Sequence, residues 1–435
     1  MLHVIDALAE FLGSLTLREW LLYFWPFFFI DFMRFTVVDL AVFLSGYHRP
    51  TSDESRNARG RLYRDQPLVT VLIPGKDEGP NLEPLIQSLH RQSYTHLEII
   101  LIDDGSEDQT PEIGRHLEAT GRIDRFLRQE VRGGKASAAN MGLQFAQGDF
   151  VVHVDADSYL HDTAIEEILL PFYRDDEVGA VSGDIRVANR WKSLSTRLQT
   201  YEYLKSITLG RTAASQLHIL GIVAGAFGAF RTRTLRRLRG WDVGPGLDGD
   251  LTLKIRKLGY KIAHAPQAIC YTNAPTSFSD LARQRYRWGR SLVRFRLRKH
   301  RDLLNPTSPF HLSDFVTVAD NVFFNLVLNA KWWIYIAQVL LFHLSLWPFL
   351  LAVNILLYSV QNALHFGIVQ AAFGHTMRRH TGRLFLFTPL MPLYMGIYLR
   401  MVRTFAYVME SIFQASFWDP WNPWKVSRTA RREGT

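Results

Sequence analysis

The chain has 435 residues, of which 47% are hydrophobic, 13% aromatic and 21% charged, and its formal net charge is +9. The length is too great for one ordinary core, and the mixture fits a soluble domain joined to membrane spans. The positive charge fits nucleic acid, anionic lipid or an anionic substrate as partner. Because Cys270 is the only cysteine, an intrachain disulfide is excluded and a reduced cytoplasmic setting is permitted.

The first predicted element is a membrane-spanning helix from Trp20 to Leu44, since a span takes about 20 apolar residues. Its charged residues, Asp31, Arg34 and Asp39, are expected to face protein or a polar conduit. A buried helix of a soluble protein is the alternative. The Arg-rich linker that follows, from His48 to Arg64, is typical of the cytoplasmic side of a membrane, so the next domain should be cytoplasmic.

Residues from about Pro67 to Tyr271 are predicted to form a soluble α/β domain. Short apolar runs alternate with amphipathic stretches, which indicates a mostly parallel sheet with helices on both faces. The predicted strands are Val69–Ile73, Glu98–Ile102 and Phe150–Val154, and the predicted helices are Leu82–Gln92 and Asp108–Thr120. Ligands of such sheets bind beyond the carboxyl ends of the strands, so residues just after these runs are candidate site residues.

Two acidic motifs follow predicted strands. Asp103 and Asp104 lead into a Gly-Ser turn, where carboxylates can accept hydrogen bonds from a uracil N–H or ribose hydroxyls; a capped turn is the alternative. Asp155 and Asp157 can hold Mg²⁺ or Mn²⁺, because hard cations prefer oxygen ligands; a solvated loop is the alternative. A diphosphate leaving group needs such a cation to neutralise its developing charge.

A third acidic pair, Asp248 and Asp250, lies just before the predicted helix Thr252–Gly259. A carboxylate at this place can cap the helix. It can also act as the general base that deprotonates an acceptor hydroxyl. Taken alone, the residues favour the cap.

Gln284, Arg287 and Trp288 lie at i, i+3 and i+4 of a predicted helix, and so on one face. An arginine fork fits phosphate oxygens, and an indole face fits the C–H face of a sugar. The alternative is an amphipathic interface helix. The aromatic residues within Arg283–Arg301, together with the adjoining apolar segments, favour a membrane interface over nucleic acid.

The C-terminal part of the chain is predicted to lie in and on the membrane. Val322–Leu344 and Leu346–Val369 are predicted spans, and the basic loop Met377–His380 would return the chain to the cytoplasm. Leu384–Phe413 is apolar but interrupted by prolines and charges, so it fits an interfacial helix plus a span. The Trp-rich segment Phe417–Trp424 fits a membrane interface.

In this order, the motifs resemble those of processive, membrane-integrated family-2 glycosyltransferases: cellulose, hyaluronan, chitin and poly-N-acetylglucosamine synthases. The resemblance covers about Pro67 to Arg290 and includes a complete Q-x-x-R-W element. It extends through Gly134-Lys135-Ala136, Asn140, Gly183, Arg186, Asn189, Gln199, Glu202-Tyr203 and Gly225-Ala226-Phe227. There are two departures. Gly246-Leu247 stands where the family usually has an acid or a Thr-Glu pair, and Asp77-Glu78 stands where Asn-Glu is common.

The resemblance implies a GT-A-like α/β domain fused to transmembrane and interfacial helices. The implied organisation is an N-terminal transmembrane segment (1–47), a cytoplasmic glycosyltransferase domain (48–275), interfacial helices with Q-x-x-R-W (276–310), and C-terminal transmembrane and interfacial helices (311–435). Asp248 is implied to be the catalytic base by register, with Asp250 as the alternative. The implied substrate-binding residues are Asp103, Asp104, Lys135, Asp155, Gln284, Arg285, Arg287 and Trp288. The implied ligands of Mg²⁺ or Mn²⁺ are Asp155 and Asp157.

The implied function is an inverting, processive polymerisation of a β-linked polysaccharide from a UDP-sugar, with UDP-N-acetylglucosamine or UDP-glucose favoured. The expected partners are the donor, the growing polysaccharide, membrane lipids and accessory export or regulatory proteins, and no nucleic acid. A bacterial inner or plasma membrane is the expected location. The alternatives are a non-processive transferase acting on a lipid or short acceptor, and a catalytically dead binding or transport protein.

Overall fold

The computed structural model describes residues 2–45, 51–242, 246–304, 312–377 and 379–418. The chain divides into two compact units. One comprises Met1–Tyr47 and Asp320–Thr404, and the other comprises His48–Ala319 and Phe405–Thr435. The predicted domain boundaries near residues 47 and 310 fall outside the described residues.

The larger unit is built on one sheet of eight strands in the order β3-β2-β1-β4-β7-β6-β8-β5. The strands are β1 Val69–Gly75, β2 Leu97–Asp103, β3 Arg125–Arg128, β4 Phe150–Val154, β5 Ser158–Leu160, β6 Val178–Val187, β7 Phe227–Arg231 and β8 Lys261–Thr272. Strands β3, β2, β1 and β4 are parallel neighbours, and β6 and β8 also pair in parallel. Strand β7 is antiparallel to β4 and β6, and β5 is antiparallel to β8. The predicted mostly parallel sheet is confirmed.

The sheet has a hydrophobic layer on each face because successive side chains of a strand point to opposite sides. In β1, Val69, Val71 and Ile73 pack into one layer, while Leu72 packs into the other with Ile100 of β2. All five side chains are fully or almost fully buried, as runs of apolar residues predict for strands covered on both faces. The loops at the carboxyl ends of these strands are thereby held on a rigid frame.

Helices cover both faces and connect the strands. Those within the larger unit are Ser52–Asp65, Gly79–His90, Thr110–Ala119, Lys135–Phe145, Ala164–Arg174, Leu194–Tyr203, Leu204–Leu209, Gly210–Gln216, Thr232–Arg237, Leu247–Lys257, Phe278–Leu292, Val293–Lys299, Arg301–Leu304 and Ala415–Trp418. Leu204–Leu209 and Val293–Lys299 have wide π-type turns, and the short Arg301–Leu304 and Ala415–Trp418 are 3₁₀ helices. The two predicted helices that follow β1 and β2 are confirmed within a few residues of their expected bounds.

The smaller unit is helical. Its helices are Leu2–Ser14, Leu17–Tyr23, Pro26–Val38, Asp39–Ser45, Phe323–Val327, Leu328–Phe342, Leu344–Leu346, Trp347–Phe373, Gly374–Thr376, Thr381–Leu390 and Pro392–Tyr398. Two further helices, Leu312–Val322 and Leu399–Phe413, contain the points at which the chain passes from one unit to the other. Phe24, Leu350 and Val353 form a buried core in the smaller unit.

Within the described part of the chain, one helix, Leu344–Thr376, is long and apolar enough to cross a membrane. The bent pair Thr381–Leu390 and Pro392–Phe413, with 55° between its helices, is a second candidate if it counts as one broken span. The predicted span Leu346–Val369 lies inside the first of these. Trp20–Leu44 is largely helical but is not a candidate, because Asp31, Arg34 and Asp39 fall within its apolar stretch. The predicted span Val322–Leu344 is helical as far as Phe342 but is not among these candidates. The predicted interfacial segment Phe417–Trp424 lies mostly outside the described residues.

Asp31 and Asp39 of this first apolar stretch turn toward protein, as predicted, and are only 4% and 7% exposed. Asp31 Oδ2 lies 2.7 Å from Lys331 Nζ and also accepts a hydrogen bond from the Tyr358 hydroxyl. Gln361 donates to the Asp31 carbonyl oxygen at 3.0 Å. These contacts join Pro26–Val38 to two other helices of the smaller unit. The side chain of Arg34 lies outside the described residues.

We expect Lys331→Met to destabilise the smaller unit by about 3–5 kcal/mol, because it leaves the Asp31 carboxylate buried without its cation. Adding Asp31→Asn should recover most of this loss, since both charges are then absent. Unfolding of the full-length protein in detergent measures the difference. A stable single Lys331→Met variant would contradict a buried ion pair at this place.

Candidate active site

The carboxyl ends of β1, β2 and β4 lie side by side and carry the acidic loops. Gly75, the last residue of β1, pairs with Asp103, the last residue of β2. A Cβ atom at Gly75 would lie 2.9 Å from the Cβ of Ala156. Glycine therefore allows the loop after β4 to approach β1 closely. The topology brings the first two acidic motifs to one edge of the sheet, as predicted.

Asp103 and Asp104 hold protein backbone in this structure. Asp103 is fully buried, and its Oδ1 accepts from the Ser106 N–H at 2.9 Å. Asp104 accepts from the N–H groups of Gly133 and Gly134 at 2.7 and 2.9 Å. Burial raises the pKa of the Asp104 carboxyl, although these two hydrogen bonds oppose the shift. Asp104 thus fixes the turn that begins the helix of Lys135, and Asp103 fixes the turn after β2.

Lys135 lies among three of the predicted acidic residues. Its ammonium donates to Asp155 Oδ1 and to the carbonyl oxygen of Gly225, the latter at 3.3 Å. Burial lowers the pKa of Lys135, but the charges of Asp155 and Asp248 outweigh it and the net shift is upward. Lys135 therefore stays a cation in the centre of this group, where it can meet a diphosphate as well as a carboxylate.

Asp155 and Asp157 have the properties of a pair that would hold a divalent cation. Burial and the nearby Asp155 charge raise the pKa of Asp157 to about 6. A bound cation would relieve this repulsion, and carboxylate oxygens suit Mg²⁺ and Mn²⁺. Within the described residues, no group of three or more acidic, histidine or cysteine side chains is arranged to hold a metal. Mg²⁺ is commonly bound by one or two protein carboxylates together with substrate phosphates and water.

The two candidates for the base have different surroundings. The Asp248 carboxylate lies against Gly225, where a Cβ atom would be 2.2 Å from Oδ2. Burial raises its pKa, with Lys135 opposing and Asp155 adding to the shift. Asp250 is 1% exposed and bonds Lys299 and His300 instead. Of the two, only Asp248 has Lys135 and Asp155 among its charged neighbours.

The Q-x-x-R-W helix, Phe278–Leu292, forms a second group of predicted site residues. Arg285 is buried and its Nη2 donates to Glu202 Oε2 at 2.9 Å, while its guanidinium stacks 4.2 Å from the centre of the Trp288 ring. Trp288 is 47% exposed. Gln284 Oε1 is buried with no hydrogen-bond partner among the described residues. Arg285 therefore holds the exposed indole in place.

Two residues near this site were not predicted. Glu78, which follows β1, has a pKa raised to about 7 by burial and by the charges of Asp157 and Asp155. The position of Glu78 just after a buried strand could have identified it, because the acids Asp103, Asp104, Asp155 and Asp157 are found at the ends of strands in the same way. Arg211 donates from Nη1 to the Ser182 hydroxyl at 3.1 Å and has Asp248 among its charged neighbours. No pattern in the sequence singles it out.

Comparison with known proteins agrees with this architecture. The profile of Glycosyl transferase family 2 matches residues 70–239. Poly-beta-1,6-N-acetyl-D-glucosamine synthases of Staphylococcus epidermidis and Staphylococcus aureus (strain COL) are each 29% identical over 222 residues, 51% of this chain and 53% of theirs. The chain thus aligns with about half the length of these relatives.

A solved structure shares the fold. It is a mannosyltransferase from Pyrobaculum calidifontis in complex with GDP-Man and Mn²⁺. The TM-score is 0.54 at 21% identity, covering 86% of this chain and 98% of that one. Residues 70–239 thus match the profile of Glycosyl transferase family 2, and the chain shares the GT-A-like fold.

Proposed function

We propose that this protein is an inverting, membrane-associated glycosyltransferase that extends a β-linked polysaccharide from a UDP-sugar. The observation that carries the proposal is the Asp248 carboxylate against Gly225, whose carbonyl oxygen accepts from Lys135, which also donates to Asp155. These residues lie at the strand ends of the part of the chain that matches family 2 or close to it in sequence. This arrangement brings together a candidate base, a lysine cation and the acidic pair Asp155 and Asp157. The relatives' printed names favour N-acetylglucosamine as the transferred sugar, and UDP-glucose is the other donor to test.

The donor would lie across the carboxyl ends of the parallel strands, where α/β sheets bind ligands. Asp104 and the Gly133–Gly134 turn would meet the nucleoside, and Lys135 the diphosphate. Asp103 has no exposed surface, so its contribution is to hold the turn after β2. Asp155 and Asp157 would hold Mg²⁺ or Mn²⁺, which when bound neutralises charge on the diphosphate.

The transfer then needs one displacement. Asp248 takes the proton from an acceptor hydroxyl, and the hydroxyl oxygen bonds to C1 of the donor sugar. The bond from C1 to the diphosphate oxygen breaks, and its electron pair leaves with the nucleoside diphosphate. Because attack comes from the face opposite the leaving group, an α-linked donor gives a β-linked product, with no sugar bound covalently to the enzyme.

The exposed Trp288 is proposed to be where the growing end of the polymer rests. An indole face stacks on successive sugar rings without requiring one pattern of hydroxyls. Gln284 and Arg287 share its helix face. The contacts of Arg285 with Glu202 and Trp288 make it a positioning residue for the indole. An acceptor held this way fits a processive enzyme.

We expect Trp288→Ala to shorten the product and to raise the ratio of donor hydrolysis to transfer, with little change in donor affinity. Phe278→Ala is the matched control, because this exposed aromatic residue begins the same helix. Product length per folded enzyme, measured by gel sizing, is the readout. Normal length in Trp288→Ala would show that the indole is only an anchor.

The proposed setting is a bacterial inner or plasma membrane, with the family 2 domain on the cytoplasmic side. The long apolar helix Leu344–Thr376 supports the membrane association, and the nucleotide-sugar donor supports the cytoplasmic side. Passage of the polymer through the protein's own helices, with accessory export or regulatory proteins, belongs to the same proposal.

The decisive experiment supplies a panel of radiolabelled nucleotide-sugars to the purified protein in detergent and sizes the products. A long polymer from UDP-N-acetylglucosamine or UDP-glucose supports the proposal. Single additions to a lipid or short acceptor would favour a non-processive transferase. Neither hydrolysis nor transfer with any donor would overturn the catalytic function and favour a binding or transport protein.

A further inference from the structure

Charged side chains are concentrated around the first turn of the helix that carries Asp248, Leu247–Lys257. Asp250 accepts from His300 Nε2 at 2.7 Å and from Lys299 Nζ at 2.9 Å, and Lys254 Nζ lies 3.5 Å away. Lys299 and Lys254 also bind Asp242. Lys299 thus bridges two carboxylates that lie on either side of residues 243–245 in sequence.

A second set of contacts holds the same turn through backbone atoms. The Thr252 hydroxyl donates to the Asp248 carbonyl oxygen at 2.6 Å and accepts from the Val223 N–H at 2.9 Å. The Asp248 carboxylate lies against Gly225, two residues after Val223 in the segment between the helix Gly210–Gln216 and β7. The residue that carries the base is therefore fixed on one side by Thr252 and Gly225, and its neighbour Asp250 is fixed by the charges.

The hydrogen bonds from Lys299 and His300 to Asp250, called the clamp below, join residues that are distant in sequence. Lys299 and His300 lie about 50 residues further along the chain than Asp250. They follow directly on the Q-x-x-R-W helix, through the wide turns of Val293–Lys299. Burial alone would raise the pKa of Asp250, but the His300 hydrogen bond and the two lysines lower it, so the carboxylate stays ionised and paired.

We propose that Asp250 is a positioning residue for the base: by binding Lys299 and His300, it fixes the start of the Asp248 helix on the segment that continues the Q-x-x-R-W helix. The inference rests on the proposed function of Asp248. It assigns the second acid of the pair a role distinct from that of the first. It also links the base to the helix proposed to hold the acceptor, so that both are placed by one continuous stretch of chain.

Asp250→Asn should lower kcat by about 10- to 100-fold, because a small displacement of the base is costly, while the affinity for UDP stays unchanged. Asp314→Asn is the matched control. It breaks the buried pair with Arg256, at 2.8 Å, on the same helix but away from the base. An equal loss of kcat in the two variants, or none in Asp250→Asn, would overturn the proposal.

Two further measurements separate positioning from stability and from the proposed function itself. In the double variant Asp250→Asn with Lys299→Met, thermal stability should recover while kcat stays low; recovery of kcat would overturn the proposal. Hydrogen exchange at residues 248–252 of the full chain in detergent should rise in Asp250→Asn and stay unchanged in Asp314→Asn. Hydrogen exchange needs no turnover, so it tests the clamp even if the protein transfers sugar from no nucleotide-sugar donor. Unchanged exchange in Asp250→Asn would rule out the clamp.

Discussion

Asp248→Asn is expected to lower turnover by about 10²–10⁴-fold, the usual loss when a general base is removed. The amide has almost the shape of the carboxylate but cannot take the proton of an acceptor hydroxyl. Affinity for the nucleoside diphosphate should stay nearly unchanged, because the charge of Lys135 and the Asp155–Asp157 pair remain. A fall in kcat that exceeds the one expected for Asp250→Asn, with normal UDP binding, therefore supports Asp248 as the base.

The pH dependence gives an independent test of the same residue. Burial raises the pKa of Asp248, with the Asp155 charge adding to this shift and Lys135 and Arg211 opposing it. A base must be deprotonated, so the rate should fall as the pH drops through this raised pKa, above the ordinary range of a carboxyl. Arg211→Gln removes one of the opposing cations, and it should therefore move this acid limb to still higher pH.

The measurements are kcat and kcat/KM across the pH range, with UDP binding by calorimetry for each variant. Asp250→Asn is the comparison, because Asp250 lies two residues after Asp248 on the same helix. Its carboxylate accepts hydrogen bonds from Lys299 and His300. A normal rate for Asp248→Asn together with an abolished rate for Asp250→Asn would transfer the role of base to Asp250. An acid limb that does not move in Arg211→Gln would show that this arginine does not act on Asp248.

The strand framework could be predicted because its signal is local. Apolar runs such as Val69–Ile73 require burial on both faces, and a parallel sheet then places Asp103, Asp104, Asp155 and Asp157 at one edge. These positions follow from strand ends alone. The same rule identifies Glu78 once the end of β1 is known, and Glu78 matches the usual Asn-Glu pair while Asp77 departs from it.

The surroundings of each side chain could not be predicted, because they depend on contacts distant in sequence. Spacing cannot show that Asp250 meets Lys299 and His300, or that Arg285 meets Glu202, 83 residues away. The preference for Asp248 over Asp250 therefore rests on the register of the family resemblance. The binding residues inferred from the Q-x-x-R-W element stay predictions, and a positioning role is proposed for Arg285.

Removing divalent cations is expected to abolish turnover, and Mg²⁺ or Mn²⁺ should restore it. The reason is the negative charge that develops on the diphosphate as the bond to C1 breaks, which Lys135 alone neutralises incompletely. Burial and the Asp155 charge raise the pKa of Asp157, so a bound cation would stabilise this acidic pair. Full activity after exhaustive chelation would contradict the metal requirement.

Asp157→Asn should weaken cation binding as well as turnover, because it removes one of two protein carboxylates from the site. Asp162→Asn is the matched control, since Asp162 is an exposed acid just after β5 and its side chain is 64% exposed. Binding of Mn²⁺ followed by electron paramagnetic resonance, with UDP present, reads the site without requiring transfer. We expect Asp162→Asn to bind Mn²⁺ like the unmodified protein and Asp157→Asn to bind it weakly. Equal binding by both variants would place the cation elsewhere, even if Asp157→Asn were inactive, because loss of activity alone does not distinguish a metal ligand from a residue that shapes the donor site.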